Sequence, residues 1–269
     1  MNGSPASLGF AVYLLAGILG ACMGSFLNCF AWRVVNGESV WKGRSHCDVC
    51  GHVLGVRDLI PVLSYLMSRG KCRYCGAKLS IRHLIAELVT ALVFVSITLR
   101  YGFTLETLQF LLLACALLAC SFADLEAFLI PDRFLVFAAL VRVVFIFLTD
   151  DPVSELVKAL IGGAAISAAV LVIALIMGKL MKMDVMGGGD VKLLFVIGLY
   201  LGWQRNFFCL ILACVLGALF GLAALRKKKS EEEEGRQFPW GPSIAIAAWI
   251  AALWGTEIIQ WYVGLFIGR

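Results

Sequence analysis

Apolar stretches alternate with shorter polar ones along nearly the whole chain. A membrane-crossing helix needs about 20 mainly apolar residues. Such runs extend from about Leu8 to Trp32, Leu84 to Leu99, Leu105 to Ala123, Ile130 to Leu148 and Leu156 to Met181. Three more cover about Val191 to Trp203, Asn206 to Leu225 and Ser243 to Ile267. The pattern predicts an all-α polytopic membrane protein of about eight transmembrane helices. The run starting at Val191 is short, so the Gly-rich turn before it is expected to dip to the level of the membrane. Three domains follow: a first transmembrane helix over 1–32, a polar module over 33–83, and a seven-helix membrane core over 84–269.

Composition agrees. The chain is 61% hydrophobic and 15% charged over 269 residues, against about 45–50% and about 25% in soluble domains. The first apolar run lacks a basic flank and a small-residue cleavage site, which reads as a retained helix. No basic run is interleaved with aromatics, so nothing points to nucleic acid. Basic residues favour the cytoplasmic side of a membrane. The loops Arg33–His83, Asp124–Arg133, Lys179–Lys192 and Arg226–Gln237 hold 18 of the 23 lysines and arginines. That side is expected to be cytoplasmic, with both termini periplasmic. The other side holds Arg100, Arg205 and Arg269, with Lys158 at its edge. Arg226 to Lys229, followed by Glu231 to Glu234, reads as a solvated loop whose basic half fixes topology. Gly17, Gly20 and Gly24, Gly162 and Gly163, and Gly217 and Gly221 give small helix faces for close packing. No internal repeat is evident.

The polar module carries two C-x-x-C pairs, Cys47 with Cys50 and Cys72 with Cys75, each followed by a glycine, Gly51 or Gly76. Two such knuckles supply four thiolates, the donor set of a closed structural zinc site. A redox pair is the alternative, although one C-x-x-C would suffice for it. His46 and His52 flank the first knuckle and read as surface histidines. Cys22, Cys29, Cys115, Cys120, Cys209 and Cys214 fall in apolar runs and read as small packing residues. The module's basic surface suits anionic lipid headgroups, so membrane lipids are expected partners.

Asp190 stands in Met186-Gly187-Gly188-Gly189-Asp190-Val191-Lys192, at the mouth of an apolar helix, and Asp124 ends another such run. Either alone reads equally well as solvating a helix end. The charge distribution places both at the cytoplasmic face. Two carboxylates sharing a site cannot both ionise easily. The glycines beside Asp190 are expected to leave room for a substrate backbone, and Lys192 to tune Asp190 or touch lipid phosphate. Glu126, Asp132 and Asp184 are rival carboxylates, with Asp132 placed to start a helix after Pro131.

These motifs together resemble those of the type IV prepilin peptidases, bifunctional leader peptidases and N-methyltransferases of bacterial inner membranes. The resemblance rests on Gly24-Ser25-Phe26-Leu27-Asn28 with Trp32-Arg33, and on the segment from Ser45 to Cys72. It continues through Ser80-Ile81-Arg82 with Glu87, Asp124 with Pro131-Asp132, Gly187-Gly188-Gly189-Asp190, and Phe238-Pro239-Trp240-Gly241-Pro242. Trp240 stands where a smaller aromatic is usual, His83 where an aromatic is common, and Asp48 where a proline is common. The resemblance implies that Asp124 and Asp190 are the catalytic pair of an aspartic membrane peptidase, with no catalytic metal. It implies prepilin and pseudopilin substrates, zinc in the module, and S-adenosylmethionine as methyl donor for the new N-terminus. Gly70 is the candidate for the methyl-transfer function. The rival readings are a peptidase without methyltransferase activity, and a transporter or assembly factor with a zinc-ribbon loop. Intramembrane Glu87, Arg142 and Glu257 would mark an ion path in the latter. By depth, Arg142 and Glu257 are expected to form an ion pair between the fourth and eighth spans.

Overall fold

A computed structural model describes residues 5–40, 43–182, 186–227 and 239–267. Asp184, Phe238 and the charged run 228–237 lie outside the described residues. The protein is helical: α1 (Pro5–Val35), a 3₁₀ turn (Val56–Asp58), α2 (Leu63–Met67), α3 (Ile81–Tyr101), α4 (Leu105–Ala127), α5 (Asp132–Ile146), α6 (Pro152–Met181), α7 (Gly188–Lys227) and α8 (Gly241–Ile267). Six of these, α1, α3, α4, α6, α7 and α8, are long and apolar enough to cross a membrane. The chain divides into two compact units, Met1–Leu111 and Leu112–Arg269.

In the first unit α1 packs on α3. A Cβ on Gly20 would stand 2.7 Å from Ala91 Cα, and one on Gly24 the same distance from the Ala86 carbonyl oxygen. Only bare backbone allows that approach. Asn28 of α1 meets His83 of α3 through a 2.8 Å hydrogen bond. Ser80 starts α3 by accepting the Arg82 N–H, a normal N-cap role.

In the second unit α7 is two helices. Gly202 has φ 73° and ψ 171°, outside helical geometry. Asn206 Nδ2 donates to the Leu194 carbonyl at 3.2 Å. In a straight helix twelve residues span about 18 Å, so the chain must fold back at Gly202. This reproduces the expected division into a run ending near Trp203 and another starting near Asn206. The first arm is short, as expected. α6 lies along it, with Gly162 and Gly163 against Gly198 and Phe195.

α5 has 15 residues, about 22 Å, which is less than a hydrocarbon core. It still runs the length of the first arm of α7. Asp132 pairs with Lys192 near that arm's start, and Arg142 Nε donates to the Leu199 carbonyl near its end. Arg142 also has neighbours there that the sequence did not predict. Its guanidinium lies 3.8 Å from Glu155 and over the Tyr200 ring. Depth counted along one helix could not show that α6 and α7 stand beside Arg142.

Candidate active site and cysteine centre

α4 and α7 each deliver one aspartate to the same end of the second unit. A cavity of about 450 Å³ is lined there by both Asp124 and Asp190, with Phe128–Asp132 and Gly187–Gly189 around them and Lys192 at its side. Asp124 is buried, at 5% exposure, while Asp190 is half-buried. Asp124 Oδ2 accepts the backbone N–H of Gly241 at 2.7 Å. A Cβ on Gly241 would stand 2.8 Å from that oxygen. The first residue of α8 must therefore be glycine for this carboxylate to sit where it does. Sequence reasoning included Gly241 in a motif without assigning it a role.

The three glycines before Asp190 differ. A Cβ on Gly187 would stand 3.2 Å from Asp190 Oδ2, and one on Gly189 would stand 3.0 Å from Ile130 Cβ. A Cβ on Gly188 would meet no other described group within 4 Å. The first two thus make room for the chain's own groups, and Gly188 is the one that faces open space. Lys192 donates to both Asp132 oxygens, at 2.8 and 3.0 Å. The lysine expected to tune Asp190 or touch lipid phosphate thus also ties α7 to the neighbouring α5. Glu126 does not line the cavity. Trp240, the large aromatic of its motif, fits because Gly217 has no side chain beneath it, and its Nε1–H donates to the Ala213 carbonyl.

The cysteine module lies in the first unit. The sulfurs of Cys47, Cys50, Cys72 and Cys75 all lie within 4.8 Å of one another, and those of Cys47 and Cys75 are 3.9 Å apart. One zinc ion at about 2.3 Å from four tetrahedral sulfurs would hold them about 3.8 Å apart, so the donor set and spacing are compatible with zinc. Backbone N–H groups at Cys50 and Val49 pull the Cys47 thiol down, while burial and the neighbouring thiols push that of Cys75 up. Neither His46 nor His52 joins the cluster; the His52 ring packs on Tyr74 at 3.6 Å. Of the remaining cysteines, Cys115, Cys120 and Cys209 are buried, as packing residues should be, whereas Cys22 and Cys214 are exposed.

The two knuckles are a repeat. Leu54 N–H donates to the Ser45 carbonyl, and Leu79 N–H to the Gly70 carbonyl. His46 bridges Val53 as Lys71 bridges Lys78. Each pair is offset by 25 residues, which corrects the reading that no internal repeat exists. The signal was present as C-x-x-C-G-x-x-L, twice, in Cys47–Leu54 and Cys72–Leu79. Gly51 and Gly76 have φ of 68° and 73°, the left-handed turn that each knuckle requires.

Three contacts secure the module. Arg33 at the end of α1 reaches the carbonyls of Val40 and Gly43 at 3.4 Å. Glu87 of α3, buried at 7% exposure, accepts the Val62 N–H at 2.7 Å. Val62 has φ 62°, and Leu63 N–H donates back to the Pro61 carbonyl at 2.6 Å. That is a strained three-residue turn, rare for a β-branched residue. Gly70, with φ 67°, lies against Tyr65; a Cβ there would be 3.0 Å from its hydroxyl.

Comparison with known proteins is consistent along the chain. Residues 18–101 match the profile of the bacterial peptidase A24 N-terminal domain, and residues 111–222 match that of the type IV leader peptidase family. A prepilin leader peptidase/N-methyltransferase from Pseudomonas putida is 35% identical, covering 91% of each chain. A protein of the same name from Bacillus subtilis (strain 168) is 32% identical, covering 93% of this chain and 98% of its own. Another from Aeromonas hydrophila is 35% identical, covering 83% and 76% respectively. No solved structure matches the chain. Similarity of this extent, running through both the cysteine module and the aspartate segments, makes the chain a multi-pass membrane member of the type IV leader peptidase family.

Proposed function

We propose that this protein is a membrane aspartic endopeptidase that removes the short basic leader of type IV prepilins and pseudopilins, and that it N-methylates the new N-terminus. The observation that carries the peptidase reading is the convergence of Asp124 and Asp190 on one cavity. In this reading the pair shares one proton. The ionised carboxylate takes a proton from water, and the resulting hydroxide adds to the scissile carbonyl. The protonated carboxyl polarises that carbonyl and then protonates the leaving amine. No metal takes part in this step. Gly188, the open glycine, leaves space for an extended substrate backbone beside Asp190.

S-adenosylmethionine would supply the methyl group. We assign methylation to the module 33–83 and cleavage to the core 84–269. Gly70, where backbone without a side chain meets the Tyr65 ring, is the candidate contact for the donor. Zinc held by the four cysteines would keep the two knuckles together and, being fully ligated, would do no chemistry. The excess of basic residues in the loops around Asp124 and Asp190 supports a cytoplasmic site in the inner membrane, with both termini periplasmic. The transporter reading loses its ion path. Glu87 is bonded to the Val62 amide, and Arg142 to Leu199 and Glu155.

The test uses purified protein, a prepilin and S-adenosylmethionine, with mass spectrometry separating cleavage from methylation. Asp124→Asn and Asp190→Asn are each expected to abolish cleavage while the protein still inserts. Near-normal processing by either variant would refute the assignment.

A further inference from the structure

Arg205 sits just past the Gly202 turn, about 18 Å along the first arm of α7 from Asp190, at the other end of the unit. A cavity of about 1100 Å³ opens there between α6, α7 and α8. Ile161, Leu201, Ile259 and Val263 give it apolar walls, and Thr256 and Gln260 add polar groups. Arg205 lines it as well. Its Nε–H donates to the Leu201 carbonyl at 2.9 Å, and its stem rests on bare α8 backbone at Gly255. The guanidinium is therefore held in place with its two terminal nitrogens left over.

Two other cations near this end of the unit, Arg142 and Lys158, share the Glu155 carboxylate. Among the described residues no carboxylate pairs with Arg205. A cation at the end of a membrane helix takes its counter-ion from what the membrane supplies, and a guanidinium forks onto phosphate. A free phosphate would use neither the volume nor the apolar walls. A lipid uses both.

We propose that this cavity binds one anionic phospholipid, its phosphate on Arg205 and an acyl chain along Ile161, Leu201, Ile259 and Val263. The site is separate from the aspartate cavity and does not depend on the proposed reaction.

Native mass spectrometry of the full chain, released from an equal mixture of phosphatidylglycerol and phosphatidylcholine, tests this. The wild type is expected to retain one phosphatidylglycerol in preference to phosphatidylcholine. Arg205→Gln should reduce that preference at least about fivefold. Val263→Trp, at a 43% exposed position on the cavity wall, should reduce retention of both lipids by filling the space. A thermal midpoint equal to that of the wild type would show that both variants are folded. Unchanged retention in Arg205→Gln would make the arginine a helix cap only and overturn the proposal. If that variant does not fold, unchanged retention in Val263→Trp overturns it. Displacement of the lipid by inorganic phosphate would also overturn it, in favour of a small-anion site.

Discussion

The buried carboxylate of Asp124 depends on an atom that is not there. Gly241 gives its N–H to Oδ2 and withholds a side chain from the same space. A methyl group would push the carboxylate aside, and a displacement of about 1 Å at a reacting group can lower the rate about a hundredfold. Gly241→Ala is therefore expected to cut prepilin cleavage by about that factor, measured in membranes carrying equal amounts of protein. Glu87 presents the opposite case, a side chain whose whole use is one backbone amide. Glu87→Ala leaves the strained Val62 turn unsupported and the amide unpaired, a loss of about 1–3 kcal/mol. The readout is faster proteolysis within residues 55–70, with cleavage sites mapped by mass spectrometry. The sequence placed Glu87 in a motif and at the membrane edge. It could not show the partner, because a backbone amide 25 residues away leaves no mark in side-chain pattern.

At the scale of the element, the reversal in α7 is the feature that most shapes the core. Gly202 has backbone angles that almost only glycine adopts, and replacing it stores about 1–3 kcal/mol of strain. Gly202→Ala is expected to lower the thermal midpoint of the purified protein, whereas Gly221→Ala, whose Cβ would meet no other described group within 4 Å, should leave it unchanged. Hydropathy alone located this break within a residue or two, because Gly202 interrupts an apolar run beside Trp203, Gln204 and Arg205. It missed Asn206, which is fully buried and bonds the Gly162 and Leu194 carbonyls. A lone asparagine at the start of an apolar run reads as a helix end. Its burial exists only once three helices meet around it. The same limit hid the contacts of Arg142 with Leu199 and Glu155. Depth along a helix follows from counting residues, but the neighbour at that depth depends on how the helices are arranged around the core. The cysteines were legible for the converse reason, since each knuckle is closed by bonds within ten residues.

At the scale of the whole molecule, the two proposed chemistries draw on different parts of the chain. The four cysteines, the Arg33 clamp, the Glu87 bond and Gly70 belong to the first compact unit. Asp124, Asp190, Gly241 and the Lys192–Asp132 pair belong to the second. Each unit has its own packed helices, α1 on α3 in one and α6, α7 and α8 in the other. The cysteine knuckles have little apolar core of their own. Cys47 and Cys72 are buried, while Val49, Val53 and Val56 remain exposed. Without a metal the knuckles would be joined, among the described residues, only by solvent-facing contacts, the His52–Tyr74 ring pair and the bonds of Asp58 to Tyr74 and Arg73, and in small sites of this kind metal binding supplies much of the folding free energy. Zinc removal should therefore disorder the module and spare the aspartate cavity. Purified protein is expected to hold one zinc per chain. Cys72→Ser should lose most of it, and with it methylation, while still releasing leader peptide at a rate within about threefold of wild type, the scatter expected when the altered residue shares no partner with the aspartates. The measurement is a single mass spectrum of the product, in which cleaved but unmethylated pilin accumulates. Parallel loss of cleavage and methylation in a protein that still inserts would mean that the aspartate site needs the zinc module to work.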